Sequence, residues 1–153
     1  MNKESYLSKQ VIVIRKDLNM RKGKCVAQGS HASMAVLLDL ITFDEDIHSW
    51  EKHGFSGALN LTWDTNTSED EIKKIKGICA WLSGRFAKVC CYVNSEEELD
   101  SLYDKARAAG LLCSIITDAG FTEFHGVPTK TAIAIGPAFI EDVDKITGGL
   151  SLL

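Results

Sequence analysis

The sequence has no apolar run approaching the roughly 18 residues that a membrane-spanning helix needs, and its first ten residues, MNKESYLSKQ, lack the apolar centre of a secretory signal. The expectation is a soluble, cytoplasmic protein with no membrane partner. Paired cysteines are also missing. The five, at positions 25, 79, 90, 91 and 113, are odd in number and follow neither a disulfide framework nor a zinc-ligand spacing. Four stand in or beside apolar runs, where small buried thiols belong. No shift in composition marks a second domain, and 153 residues at 45% hydrophobic content suffice for one compact core.

A positive net charge is absent as well: the chain carries -4. That average argues weakly against a polyanion partner, but it hides an asymmetry. Lys3, Lys9, Arg15, Lys16, Arg21, Lys22 and Lys24 face only Glu4 and Asp17 up to position 24, and the acidic excess lies downstream, at 44–46, 69–71, 96–100 and 141–144. What steers a polyanion is the local field and not the total, so the N-terminal face remains able to meet phosphates. The alternative is an ordinary solvated terminus.

What is present is organised around Arg21 to Ala32, RKGKCVAQGSHA, a strand-to-helix junction that sets Lys22, Lys24, Gln28 and His31 within three turns. The small residues among them, Ala27, Gly29, Ser30 and Ala32, predict a close approach of another element. Before the junction, Gln10 to Ile14 is a short β-branched apolar run suited to a strand buried on both faces. After it, Val26, Met34, Leu37, Leu38 and Ile41 recur at helical spacing and predict a helix over 24–42. Residues 43–67 are the least regular part and are expected to hold short ordered pieces.

Ser68 followed by Glu71 predicts a capped helix over 69–83, and Ser95 followed by Glu98 predicts another that stops near Gly110. Ala87–Val93, Leu111–Thr117 and Thr131–Ile135 read as strands, the last ended by Gly136-Pro137, and a short helix is expected over 139–147. Strands alternating with helices imply a single three-layer α/β/α domain with a mixed sheet of about four strands. No helix separates the last two strands, so at least one pair need not be parallel. Ligands of open α/β sheets sit beyond the carboxyl ends of strands. Asp118 ends one strand and the basic junction follows another, so the two polar clusters are expected to face each other.

Four segments, RKDLNMRKGKCVAQGSHA, DAGFTEF, PTKTAIAIGP and DKITGGLSLL, occur in an order that resembles the class II peptidyl-tRNA hydrolase family, the archaeal and eukaryotic type. The resemblance spans nearly the whole chain, 1–153, and includes WLSGRFAKVCCYV and the EEELDSLYDKARAAGL helix. It implies a layered α/β fold and a metal-independent, cofactor-free hydrolase. Such an enzyme cleaves the ester between a peptide and the 3′ end of tRNA, and is commonly a homodimer. Carried onto this sequence, the resemblance points to Lys24, Asp118, Thr122, Thr131 and His31 as catalytic, with Arg21, Lys22 and Gln28 binding substrate.

Ester hydrolysis needs an aligned water, a proton acceptor, donors for the tetrahedral oxyanion and a proton for the leaving hydroxyl. Asp118 suits the base or water-orienting role, and Lys24 the oxyanion or a nearby phosphate. Thr122 and Thr131 suit water alignment, while His31 either donates a proton or holds Gln28. Two departures from the family pattern stand out: about thirty extra acidic and aromatic residues around 43–76, expected to cover the site or reshape its substrate range, and the Arg85-Phe86-Ala87 and HGVPT variations. Two other readings compete: a catalytically weak module that binds RNA 3′ ends or an acylated ligand, and a scaffold acting through Trp50 and Trp63.

Overall fold

The computed structural model describes residues 7–153, the side chain of Ser49 excepted, so Lys3 and Glu4 of the N-terminal charge cluster lie outside the described residues. β1 (Ser8–Arg15) is the apolar run extended at both ends. It occupies an inner position in a four-stranded sheet of order β4-β1-β6-β5, parallel to β4 (Lys88–Val93) and antiparallel to β6 (Thr129–Phe139). β5 (Cys113–Asp118) pairs antiparallel with β6 and so runs in the same direction as β1. The mixed sheet expected from the missing last crossover helix is therefore the one observed.

Side-chain alternation along β1 divides the core. Val11 and Val13 pack with Val93, Ile133 and Ile135 against Leu99, Leu102 and Ala106 of α4 (Glu96–Ala108) and Val143 of α5 (Ile140–Thr147). Ile12 and Ile14 point the other way, with Ala132 and Ala134, towards Ala32 and Val36 of α1 (Lys22–Leu38). Gly29 faces Ile12 and Ile14 across this contact, where a methyl would meet the Ile12 side chain at an ordinary 3.5 Å. α3 (Glu69–Ser83) lies beside α1 on this face, its buried Trp81 bonding through Nε1 to the Ala87 carbonyl. Both capping serines act as expected: Ser68 Oγ accepts the Glu71 N–H at 3.2 Å and Ser95 Oγ the Glu98 N–H at 3.1 Å.

Four expectations need correction. α1 stops at Leu38 and not at 42, because Ile41–Phe43 turns back as β2 to pair with β3 (Gly57–Leu59). The short helical turn α2 (Trp50–His53) sits inside that hairpin. β6 continues through Gly136-Pro137 to Phe139: Gly136 takes φ +87° and, lacking a Cβ, avoids a clash with the Lys9 carbonyl, and the β1 register shifts between Lys9 and Val11 to absorb the irregularity. Among the cysteines only Cys91 is buried; Cys90 is exposed and the others are half-buried, with desolvation pushing the Cys113 thiol up to about 12.

The fourth concerns the extra segment. It leaves from the carboxyl end of α1, whereas Lys24 lies at the amino end, about 20 Å away at 1.5 Å per residue. Among the described residues none of 41–67 lines the groove beside Asp118, so the segment does not cover that groove. From Glu69 onward it forms α3, whose Ile75 and Ile78 are buried. Among the described residues no helix is long and apolar enough to cross a membrane.

Candidate active site

α1 begins with Lys22 and Lys24 and has no acidic residue in its first turn. Cations at this end oppose the helix dipole and are unfavourable without compensation. The compensation arrives from the far end of the sequence. Lys24 Nζ donates to Asp118 Oδ2 at 2.6 Å and to Thr122 Oγ1 at 3.1 Å. Glu123 Oε1 accepts from Arg21 Nε at 2.7 Å, and its Oε2 accepts the Arg21 backbone N–H at 3.4 Å, which supplies the cap that Arg21 itself does not provide.

The loop that delivers these groups is shaped by its own sequence. Asp118 Oδ1 accepts the Gly120 N–H at 2.8 Å, an aspartate turning the chain onto its own backbone two residues on. Gly120 has φ +83°, and a Cβ there would fall 2.3 Å from the Val127 oxygen. The DAG triplet therefore encodes a turn that only glycine fits, and the turn aims the carboxylate at α1.

One turn along α1, Gln28 is buried and donates through Nε2 to Asp118 Oδ2 at 3.0 Å, while its Oε1 accepts the very short hydrogen bond of Thr131 Oγ1. A carboxylate offers only acceptors, so the amide nitrogen must face Asp118 and the amide oxygen Thr131. The five side chains form one chain of bonds, Thr131 to Gln28 to Asp118 to Lys24 to Thr122. Thr131 is 0% exposed. Its hydroxyl is given to Gln28, away from solvent.

The sequence reading brought together Lys24, Gln28, Asp118, Thr122 and Thr131, and these meet. His31 lines the same groove as Gln28 and Asp118, with its ring exposed. Lys22 is exposed at the helix start. Three contributors were not singled out by that reading. Glu123 caps Arg21, Gly120 binds Asp118, and Phe124 places its ring 5.6 Å beneath the Lys24 ammonium. Their signal was the text that follows Asp118, AGFTEF, read there for its threonine alone.

The Asp118 carboxyl is held below its ordinary value, first by the Lys24 hydrogen bond and then by the Gly120 N–H, against an opposing cost of burial. Three of its roughly four acceptor positions are filled, two on Oδ2 and one on Oδ1, which leaves one on Oδ1. Lys24 likewise has a third N–H beyond those given to Asp118 and Thr122. A carboxylate on the wall of an open groove of about 430 Å³, with an ammonium bonded to it from behind, can align a water and stabilise a developing oxyanion.

The family model described as peptidyl-tRNA hydrolase PTH2 matches residues 8–153. The chain belongs to that family. Among curated relatives, a peptidyl-tRNA hydrolase of Methanocaldococcus jannaschii is 41% identical over 145 residues, covering 95% of this chain and 99% of the relative. Those of Sulfurisphaera tokodaii and Aeropyrum pernix are 37% and 38% identical, over 95% and 99% of this chain and 98% and 99% of theirs. Family membership covers both halves of the bond chain, α1 and the 118–131 segment alike.

Thr131→Val tests that chain from its buried end. It leaves the Gln28 amide oxygen buried without a donor, and is expected to lower unfolding stability by about 1–3 kcal/mol. Urea denaturation measures this, and Thr131→Ser should restore most of it.

Proposed function

We propose that the chain hydrolyses the ester joining a peptide, or an N-blocked aminoacyl group, to the 3′ end of tRNA, with Asp118 and Lys24 at the reacting centre. The observation that carries the reading is the 2.6 Å Lys24–Asp118 bond, whose carboxylate lines an open groove and is braced by Gln28 and Thr131. Asp118 orients the water with its remaining acceptor position. Its lowered proton affinity makes it a weak base, so alignment and charge outweigh proton abstraction in its contribution. Lys24 meets the oxyanion as the carbonyl is attacked. Thr122, whose oxygen already accepts from Lys24, keeps its own O–H for substrate. His31, one turn beyond Gln28, offers a ring N–H towards the leaving ribose oxygen.

The RNA half approaches the amino end of α1, where Lys22 and Arg21 carry the positive field. Phe121, 88% exposed and one residue before Thr122, presents a ring on which a purine can stack. Neutralised phosphates make binding salt-dependent, each contributing a log-log slope of roughly 0.7 to 0.9. Lys22→Ala is therefore expected to flatten the salt dependence of KM by about that amount, with kcat nearly unchanged.

Incubation of the purified protein with N-acetyl-aminoacyl-tRNA is the direct test: free tRNA should appear with turnover. Salt-dependent binding without release would favour the weak-module reading. The scaffold reading has Trp50 and Trp63 exposed, at 59% and 47%, in its favour. It would have gained further from a Lys24–Asp118 separation too long for a shared site, and the two are bonded.

The reading extends to a cytoplasmic homodimer. Val26, Phe86 and Leu153 are each at least half exposed around an apolar groove of about 500 Å³, which Met34 separates from the groove beside Asp118. A contiguous patch of this kind suits a second copy. Val26→Glu with Phe86→Glu is expected to convert the dimer to a monomer in sedimentation equilibrium.

A further inference from the structure

What all peptidyl-tRNAs share in the peptide half is the main chain, so a hold made of main-chain groups alone serves any of them. Main-chain hydrogen bonding to an open strand edge is such a hold, because every residue but proline offers the same groups. The fold has such an edge at the right place. β5 pairs on one side only, with β6, and among the described residues no backbone hydrogen bond outside that ladder reaches residues 113–118. Its carboxyl end is Asp118.

The groove of about 430 Å³ that contains Asp118 runs beside this edge: Ile116, Thr117 and Ala119 form one wall, and His31, Ala35 and Leu38 of α1 the other. Besides Gln28, His31, Thr117 and Asp118 the lining is Met34, Ala35, Leu38, Ile116 and Ala119, all apolar, and it carries no lysine, arginine or second carboxylate that would select among peptide side chains. The groove is also bounded. At the far end, Ser114 Oγ donates to Asp39 Oδ2 at 2.6 Å and ties β5 to the end of α1. Between that tie and Asp118 there is room for about four extended residues at roughly 3.3 Å each.

We infer that the peptide half of the substrate docks as an added strand on the open edge of β5, in the groove walled by α1. The inference rests on the ester centre proposed above. With the peptide's terminal carbonyl at Asp118, its earlier residues run back towards Ser114, so the added strand is parallel to β5. Alternate peptide residues then face β5 with their N–H and C=O groups, while the others face solvent. The RNA half leaves in the opposite direction, past Lys22, so the two halves of the substrate do not compete for surface.

The test uses the wild-type protein and matched substrates: N-acetyl-aminoacyl-tRNA, tetrapeptidyl-tRNA, and tetrapeptidyl-tRNAs N-methylated singly at the second or the third residue from the ester. One of the two methylated substrates should lose about tenfold in kcat/KM, the equivalent of one hydrogen bond, and the other less than threefold. Exchanging Ala, Val or Glu side chains at those positions should change kcat/KM less than the sensitive methylation does. In parallel, a non-cleavable tetrapeptidyl-adenosine amide should shift the backbone amide resonances of residues 115–119.

Equal tolerance of both methylations overturns the inference, as do resonance shifts confined to Val26, Phe86 and Leu153. Shifts on β5 that follow protein concentration and not the analogue assign the edge to a second copy, and overturn it too. Failure to cleave even N-acetyl-aminoacyl-tRNA would sink the ester-hydrolysis reading itself, a separate outcome.

Discussion

Asp118→Asn is expected to lower kcat by about 100- to 1,000-fold while leaving the protein folded. The reason lies in the pattern of donors around the carboxylate. Oδ2 accepts from Lys24 and Gln28, and Oδ1 from the Gly120 N–H, so every neighbour is a donor. An asparagine amide has one accepting and one donating end. Either orientation sets its NH₂ against a donor, the Gly120 N–H in one case and Lys24 with Gln28 in the other. The variant thus loses charge and misplaces the groups that aim at the water. KM should hold or fall, since a negative charge near the phosphates has been removed. Steady-state kinetics with tetrapeptidyl-tRNA, alongside circular dichroism, measure this; activity within tenfold of wild type would remove Asp118 from the reacting centre.

The pH dependence follows from the same bonds. The Asp118 carboxyl titrates below its ordinary 3.8 because Lys24 and the Gly120 N–H favour the charged form. A lowered folded-state value means that its contribution to stability is complete above the ordinary value and fades as pH falls through the folded one. Asp118 therefore remains ionised across the neutral and mildly acidic range, and its protonation sets no step in the rate profile there.

Lys24→Ala is expected to cost at least about 100-fold in kcat, by removing both the oxyanion cation and the partner that keeps Asp118 ionised. It carries a second signature: the acid limb of the rate profile moves up, towards the range of an ordinary carboxyl. Lys24→Arg should recover little, because a planar guanidinium cannot reproduce the compact ammonium that reaches Asp118 Oδ2 and Thr122 Oγ1 together. Residues that act as a unit are not additive, so the Lys24→Ala/Asp118→Asn double variant should be little worse than either single one. A product of the two losses would instead mean that the groups act in separate steps.

Local chemistry explains what was legible in the sequence. The strand at Gln10–Ile14 and the helices behind Ser68 and Ser95 declare themselves within a few residues, through β-branching and caps, and all three are present. Lys24 and Asp118 could be paired because each ends a strand or begins a helix on the same rim of the sheet. The errors arose where a distant partner decides. Gly136-Pro137 breaks a strand by its own propensity, yet the Lys9 bulge in β1 accommodates it. Ile41–Phe43 continues the helical stripe, yet Gly57–Leu59 captures it as a hairpin. Glu123 was not singled out, because only the bare amino end of α1, distant in sequence, gives it a partner.

The placement of β1 has a temporal consequence. It is the first strand of the sheet, but its two neighbours, β4 and β6, come from the second half of the chain, with Ile12 set beside Cys90 on one side and Ala134 on the other. As the polypeptide emerges from the ribosome, Lys24 is made early and must wait, with the lower face of α1 uncovered, until Asp118 and the last strand have followed. Pairings this distant are slow to find. The enzyme's own synthesis thus leaves its centre unassembled until almost the whole chain has been translated.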